Sequence, residues 1–180
     1  MKENGMRTAR RKKWLEVEPI DATRFRFVMG LEDTSSSEAG VEVIHTLEIS
    51  GVLSIPELEI LEIQPRAIFH PYPECGASLE PVRQMVGAKI GKGFRARVLD
   101  LMGRTRGCTH FMSLMLDLTA AHTLTTFLRM RERASYANRS DSSNAWLRVG
   151  LELVPELENA CVALQEDSRV ILSARQPLPD

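Results

Sequence analysis

Thiols and imidazoles are scarce in this chain, and two of them stand one residue apart. Cys108 and His110 lie in Gly107-Cys108-Thr109-His110-Phe111, where a long apolar run begins. Near neutral pH these groups either bind transition metals or act as nucleophile and base. Thr109 is a plausible N-cap, so the pair sits where a helix would start. Unpaired N–H groups and the helix dipole at such a point favour a thiolate. A thiolate suits a metal ligand and a nucleophile equally. Structural zinc sites combine two close ligand pairs, and only one pair is visible here, so any partners must come from distant positions.

The other sulfur and nitrogen groups are Cys75, Cys161, His45, His70 and His122. Cys75 follows a proline-rich stretch, His70-Pro71-Tyr72-Pro73-Glu74, and precedes a helix. Glu74 beside it is a local acid candidate. Cys161 falls on an expected amphipathic helix, where a cysteine is also a common apolar filler. His45 falls on the inner face of a strand. His122 lies within the long helical run and His70 in an exposed loop. Asp117 shares an angular position with His110, but two helical turns separate them by about 10 Å, too far for a direct dyad. Gly87 to Gly93 lacks the Gly-Lys-Ser/Thr and the glycine spacing of nucleotide-binding loops.

The elements that must position these groups follow from periodicity. Residues 24–29 alternate as a strand, with residues 31–40 as a polar connection. Residues 41–49 form a second strand, with Val41, Val43, His45 and Leu47 on its inner face. Residues 56–69 form a third, where Pro65 argues for an edge or a bulge. A helix begins at Ser78. Residues 94–102 fit either strand or helix. One long helix runs from Thr109 to about Arg133, its stripe of Leu114, Leu118, Ala121, Leu124 and Leu128 turned to a sheet. Residues 135–144 read as a polar linker, 146–153 as strand or helix, 155–164 as a helix carrying Cys161, and 169–172 as a short strand. The class is α+β: an antiparallel sheet of three or more strands packed against a long central helix and shorter helices. Residues 1–17 are a basic tail, 18–173 one domain, and 174–180 a second tail.

At 180 residues the chain can bury a core without disulfides. Three widely spaced cysteines make no disulfide framework, and point to a reducing cytoplasm. The formal net charge of -1 supplies no global attraction to nucleic acid, although Arg7, Arg10, Arg11, Lys12 and Lys13 are clustered. No apolar region follows Lys13 as a secretory signal requires, and no run has the ~18 consecutive apolar residues of a membrane span. The expected partner is a small molecule or a protein, with homo-oligomerisation open and neither membrane nor nucleic acid expected.

The Gly107-Cys108-Thr109-His110-Phe111 turn resembles a bacterial family designated domain of unknown function 2889. Three further stretches carry the resemblance: His45 in Val-Ile-His-Thr-Leu, Cys75 with Val86-Gly87 and Ile90-Gly91-Lys92-Gly93-Phe94, and Cys161 in Cys-Val-Ala-Leu. It spans roughly residues 24–170. It implies that His45, Cys75, Cys108, His110 and Cys161 form a set, and it brings no activity with it. By analogy alone, three cysteines with one or two histidines are also similar to iron–sulfur scaffold proteins.

Three readings follow. In the first, Cys108, His110, Cys75 and Cys161, with His45 as a further candidate, hold a metal, zinc or an iron–sulfur centre. In the second, Cys108 and His45 or His110 are a nucleophile and acid/base pair acting on a small organic substrate between the sheet and the long helix. In the third, the chain is a structural or interaction module in which these residues pack.

Overall fold

A computed structural model describes residues 7–133 and 145–176. The expected linker at 135–144 and the last four residues of the expected C-terminal tail lie outside them. Four antiparallel strands form one sheet in the order β1-β2-β3-β4. They are β1 (Thr8–Pro19), β2 (Arg24–Ser37), β3 (Gly40–Ser54) and β4 (Ile60–Phe69). Among the described residues six α-helices follow: α1 (Leu79–Arg83), α2 (Phe94–Met102), α3 (Thr109–Asp117), α4 (Ala120–Arg133), α5 (Ala145–Leu153) and α6 (Arg169–Arg175). The α+β class and the antiparallel sheet are as the sequence predicts.

The sheet extends further than its sequence suggests. β1 occupies most of the expected basic tail, paired with β2 along its length from Thr8↔Ser36 to Pro19↔Phe25. β2 continues through the expected polar connection as far as Ser37. Its inward alternation never breaks phase: Phe25, Phe27, Met29, Leu31 and Asp33 are all buried. Period two places every second side chain on the core face, whatever its polarity. At Gly30 an added Cβ would come within 2.0 Å of the Trp14 ring, so the indole lies where a side chain would otherwise stand. β4 is an edge strand, and Pro65 is accommodated there opposite Ile49.

The register of β2 and β3 shifts between Asp33 and Thr34, so that His45 faces Asp33 while Val43 faces Thr34. A bulge of this kind interrupts the alternation. It explains why Leu47 is buried and His45 half-buried while Val41 and Val43 are exposed, although all four were expected on one inner face.

The core of this layer joins the sheet to three helices. Phe27, Met29, Leu31, Leu47, Ile49 and Leu53 meet Val82, Phe94, Val98, Met102, Phe111, Leu114 and Met115. The segment Thr109–Arg133 is helical over 25 residues, as expected, with a turn at Leu118–Thr119 separating α3 from α4. By length and composition alone this segment could also cross a membrane, a property it shares with core helices, although no unbroken apolar run of that length is present. Residues 94–102 and 146–153 resolve as helix. Two corrections fall later in the chain. Residues 155–164 form two short 3-10 turns, Pro155–Leu157 and Val162–Leu164, in place of a helix. Residues 169–172 lie in α6, not in a strand, and α6 buries Ala174, where the C-terminal tail was expected to begin.

The chain divides into two compact units, Met1–Ala121 and His122–Asp180, where composition had suggested one domain over 18–173. The second has its own small core of Met130, Leu147, Ile171 and Ala174.

Leu114 has no exposed surface and belongs to the core shared by α3 and the sheet. Leu114→Ala should therefore destabilise the first unit by about 3 kcal/mol, seen as a lowered urea midpoint followed by circular dichroism.

Candidate functional site

Three adjacent strands place Arg11, Asp33 and His45 in one row. Arg11 is the register partner of Asp33 on β1, and His45 is its partner on β3. All three continue the inward phase of their strands beyond the apolar core. The row is thus the polar end of the face whose other end is Leu31 and Leu47. Within it the Arg11 guanidinium meets the Asp33 carboxylate twice, Nε on Oδ1 and Nη2 on Oδ2, each at 2.7 Å. His45 Nδ1 lies 3.2 Å from the same Oδ2.

α3 supplies the other half. The chain turns from α2 through Arg104–Arg106 and Gly107 into Cys108, whose side chain caps α3 by accepting the His110 N–H at 3.4 Å. Gly107 is required by packing: a Cβ there would lie 2.9 Å from the Met102 Cα. Close approach to α2 therefore fixes where Cys108 emerges. At the far end of α3, Lys13 of β1 bonds both Ser113 and Asp117, the latter at 2.7 Å. Asp117 is thus a tether for the helix and not a partner of His110, in line with its distance along the sequence.

His110 bridges the two halves. Its Nδ1 is 3.3 Å from Cys108 Sγ, and its Nε2 is 3.5 Å from Asp33 Oδ2. Its ring leans on that of His45, with centroids 4.2 Å apart and planes tilted by 38°. Asp33 is held below the usual carboxylate range, first by the hydrogen bonds from Arg11, against the opposing effect of burial. His110 is held below the usual imidazole range, first by burial and then by His45 and Arg11, with Asp33 opposing. At neutral pH the set is an ionised Arg11–Asp33 pair backing a neutral His110.

A cleft of about 570 Å³ opens at this point, within the ordinary range for small-molecule sites. Cys108, His110 and His45 line it, together with Leu47, Tyr72, Cys75, Ala77 and Phe111; Arg11 and Asp33 do not. The thiol and both imidazoles thus face the cleft, the Asp33 carboxylate is buried behind them, and the partly exposed Arg11 holds it from β1. Of the residues singled out by sequence, Cys108, His110 and His45 come together. Cys75 and Glu74 lie in the 3-10 turn Pro73–Ser78 on the wall of the same cleft. His70 also lines it, with Nδ1 donating to the Tyr72 carbonyl at 2.8 Å. Cys161 and His122 belong to the second unit, and Cys161 is exposed. Among the described residues, the one group of three with ligand-type atoms all within 4.8 Å of one another is Asp33, His45 and His110. Its composition differs from the expected Cys108, His110, Cys75 and Cys161. Asp33 and Arg11 escaped the sequence reading, although unbroken alternation from Phe25 to Asp33 was a usable signal.

These observations define a small α+β protein with a thiol–imidazole–carboxylate line at the head of a helix, open to one cleft. The chain matches the family model described as "Protein of unknown function (DUF2889)" over residues 13–124, and it belongs to that family. The match includes Asp33, His45, Cys75, Cys108 and His110. It ends well short of residue 170, leaving Cys161 outside. No curated protein and no solved structure matches the chain.

Acid should erode stability in two windows. The lowered His110 stabilises the fold fully above the unfolded imidazole value of about 6.5, and this is lost as pH falls below it. The lowered Asp33 stabilises above about pH 4 and is lost as pH falls through its folded value. Arg11→Met should cost about 1–3 kcal/mol near neutral pH, because the buried Asp33 loses both hydrogen bonds from its cationic partner. It should also flatten the fall below about pH 4, since Asp33 then titrates nearer its unfolded value. Urea midpoints across the pH range check both.

Proposed function

We propose that this protein is an enzyme acting on a small organic substrate, with Cys108 as nucleophile, His110 as its base and Asp33 as the group that orients and charges the base. One observation carries the reading: the in-line contacts from Cys108 Sγ to His110 Nδ1 and from His110 Nε2 to Asp33 Oδ2, at 3.3 and 3.5 Å, with the sulfur end on the cleft. Nucleophile, base and orienting group in hydrogen-bond sequence are the signature of an activated nucleophile. With a proton on Nε2 directed at Asp33, Nδ1 presents its lone pair to the thiol. Transfer of the thiol proton leaves a thiolate that accepts the His110 backbone N–H, and an imidazolium backed by a carboxylate. Arg11 keeps that carboxylate ionised. His45 fills the space beside His110 and shares the same Oδ2, so it is a positioning residue here.

A bound divalent metal is the second reading, and the spacing favours it. The 3.2 and 3.5 Å separations from Asp33 Oδ2 to the two histidine nitrogens match the roughly 3.3 Å expected between neighbouring ligands on a tetrahedral ion with bonds near 2.0–2.1 Å. Zinc would suit such a set, with Cys108 then accepting from His110 as an outer partner. It ranks second because the Arg11 guanidinium already occupies both Asp33 oxygens. A dication would share the carboxylate with a fixed positive charge. The carboxylate itself does not line the cleft.

Alkylation resolved by peptide, run beside metal analysis on untagged protein, separates the readings. Cys108 should react with iodoacetamide at neutral pH faster than the exposed Cys161, and His110→Ala should slow it by about tenfold or more. Cys108 reacting no faster than Cys161 would sink the thiol reading. Stoichiometric zinc that disappears in His45→Ala would establish the second reading in its place.

A further inference from the structure

We propose that the reaction at this site is acyl transfer to water, in which Cys108 takes an apolar acyl group from an ester or thioester. The inference rests on the thiol reading above and adds the substrate class. It comes from what surrounds the sulfur.

The cleft wall is mainly apolar. Leu47, Tyr72, Ala77 and Phe111 face it, and its one guanidinium, Arg106, is engaged with the Leu99 carbonyl at 3.3 Å and with Asp100 at 3.6 Å. Glu74 on the same wall adds a negative group. Among the described residues, no second guanidinium or ammonium group lines the cleft beside Arg106 to hold a phosphate or a polyanion. The lining suits a hydrocarbon chain beside the reacting carbon.

The sulfur also stands where a carbonyl oxygen can be received. The amides of Thr109 and Phe111, both on the cleft, belong to the first turn of α3, and neither finds an acceptor among the described residues. The His110 amide is already directed at Sγ. An oxyanion forming next to the sulfur would meet the N–H of the residue that follows the nucleophile, the arrangement that stabilises tetrahedral intermediates. His110, carrying the proton taken from Cys108, is then the acid for the leaving group.

The bonds balance without a further reactant. The thiolate forms a C–S bond to the carbonyl carbon. The bond from that carbon to the alcohol or thiol breaks, and the leaving group takes the His110 proton. Water, giving a proton back to His110, then attacks the acyl-Cys108. The C–S bond breaks, the carboxylic acid departs, and the proton returns to the sulfur.

The test uses the full chain with p-nitrophenyl acetate, butyrate and hexanoate, and with the N-acetylcysteamine thioesters of the same acids. A burst of product matching the enzyme concentration is expected, with an acyl mass on the Cys108 peptide and loss of both in Cys108→Ser. From acetyl to butyryl, kcat/KM should rise by about tenfold, as two more methylenes are buried. Ala77→Phe, which narrows the cleft at an exposed position, should reduce the longer substrates more than acetate. Activity confined to the oxygen esters or to the thioesters would assign the leaving group. Rapid alkylation of Cys108 with no acyl adduct from any of the six would overturn the acyl inference and leave the thiol reading intact. Slow alkylation with no adduct would overturn both. Adducts on Cys75 or Cys161 at the expense of Cys108 would also overturn the inference.

Discussion

The site depends on one carboxylate taken out of water. Asp33 is 8% exposed and sits at the end of a row of apolar side chains on β2. An isolated ionised group there would cost several kcal/mol, or would protonate. The paired hydrogen bonds from Arg11 prevent both outcomes, and fork-to-carboxylate geometry fixes the orientation of the carboxylate as well as its charge. The rest of the site follows from that fixed charge. Two histidines gather on Oδ2, one from the neighbouring strand and one from the helix above. The second also meets the Cys108 thiol through its other ring nitrogen. Were Asp33 neutral, His110 would have no anion beside it to stabilise its protonated form.

This explains the placement of α3. A helix spanning an apolar sheet has freedom to slide, because hydrophobic contacts are not directional. α3 is pinned at both ends by polar contacts to the sheet. Lys13 holds Ser113 and Asp117 at one end, and Asp33 meets His110 at the other. Between them Phe111, Leu114 and Met115 fill the core. Both anchors come from inward positions of β1 and β2, so the same strands bury the helix and register it.

The sequence made one half of the site visible and hid the other. Cys108 and His110 are neighbours in the chain, and the apolar run after them marks the helix they head. His45 is legible from the apolar alternation around it, though the bulge at Ile44 means that Val41 and Val43 do not share its environment. Asp33 was obscured by composition: Glu32-Asp33-Thr34-Ser35-Ser36-Ser37 looks like a connection, yet cross-strand pairing on both sides carries it as strand. Arg11 was obscured by its neighbours, because a run of five basic residues within seven positions reads as a solvated tail. In β1 alternate members of that run have different tasks. Arg11 and Lys13 face the sheet's partners, while Arg10 and Lys12 are exposed on the other side. Local composition cannot distinguish them; only the register can.

The extent of the family match fits this physical division. It ends at residue 124, close to the boundary between the two compact units at Ala121, and the contacts that build the site all lie within the first unit. It begins at Lys13, so Arg11 falls just outside. The second unit carries Cys161, at the head of the short turn Val162–Leu164, and the line from Cys108 to Asp33 is built from residues of the first. The sequence motifs around three cysteines suggested a shared sulfur set, but a sulfur set requires convergence on one point. Here one sulfur ends a hydrogen-bonded line, a second lies elsewhere on the cleft wall, and the third belongs to another unit. A line with a thiol on a cleft and a buried carboxylate at its other end has a direction. That direction suits proton transfer along it better than coordination of an ion at its buried end.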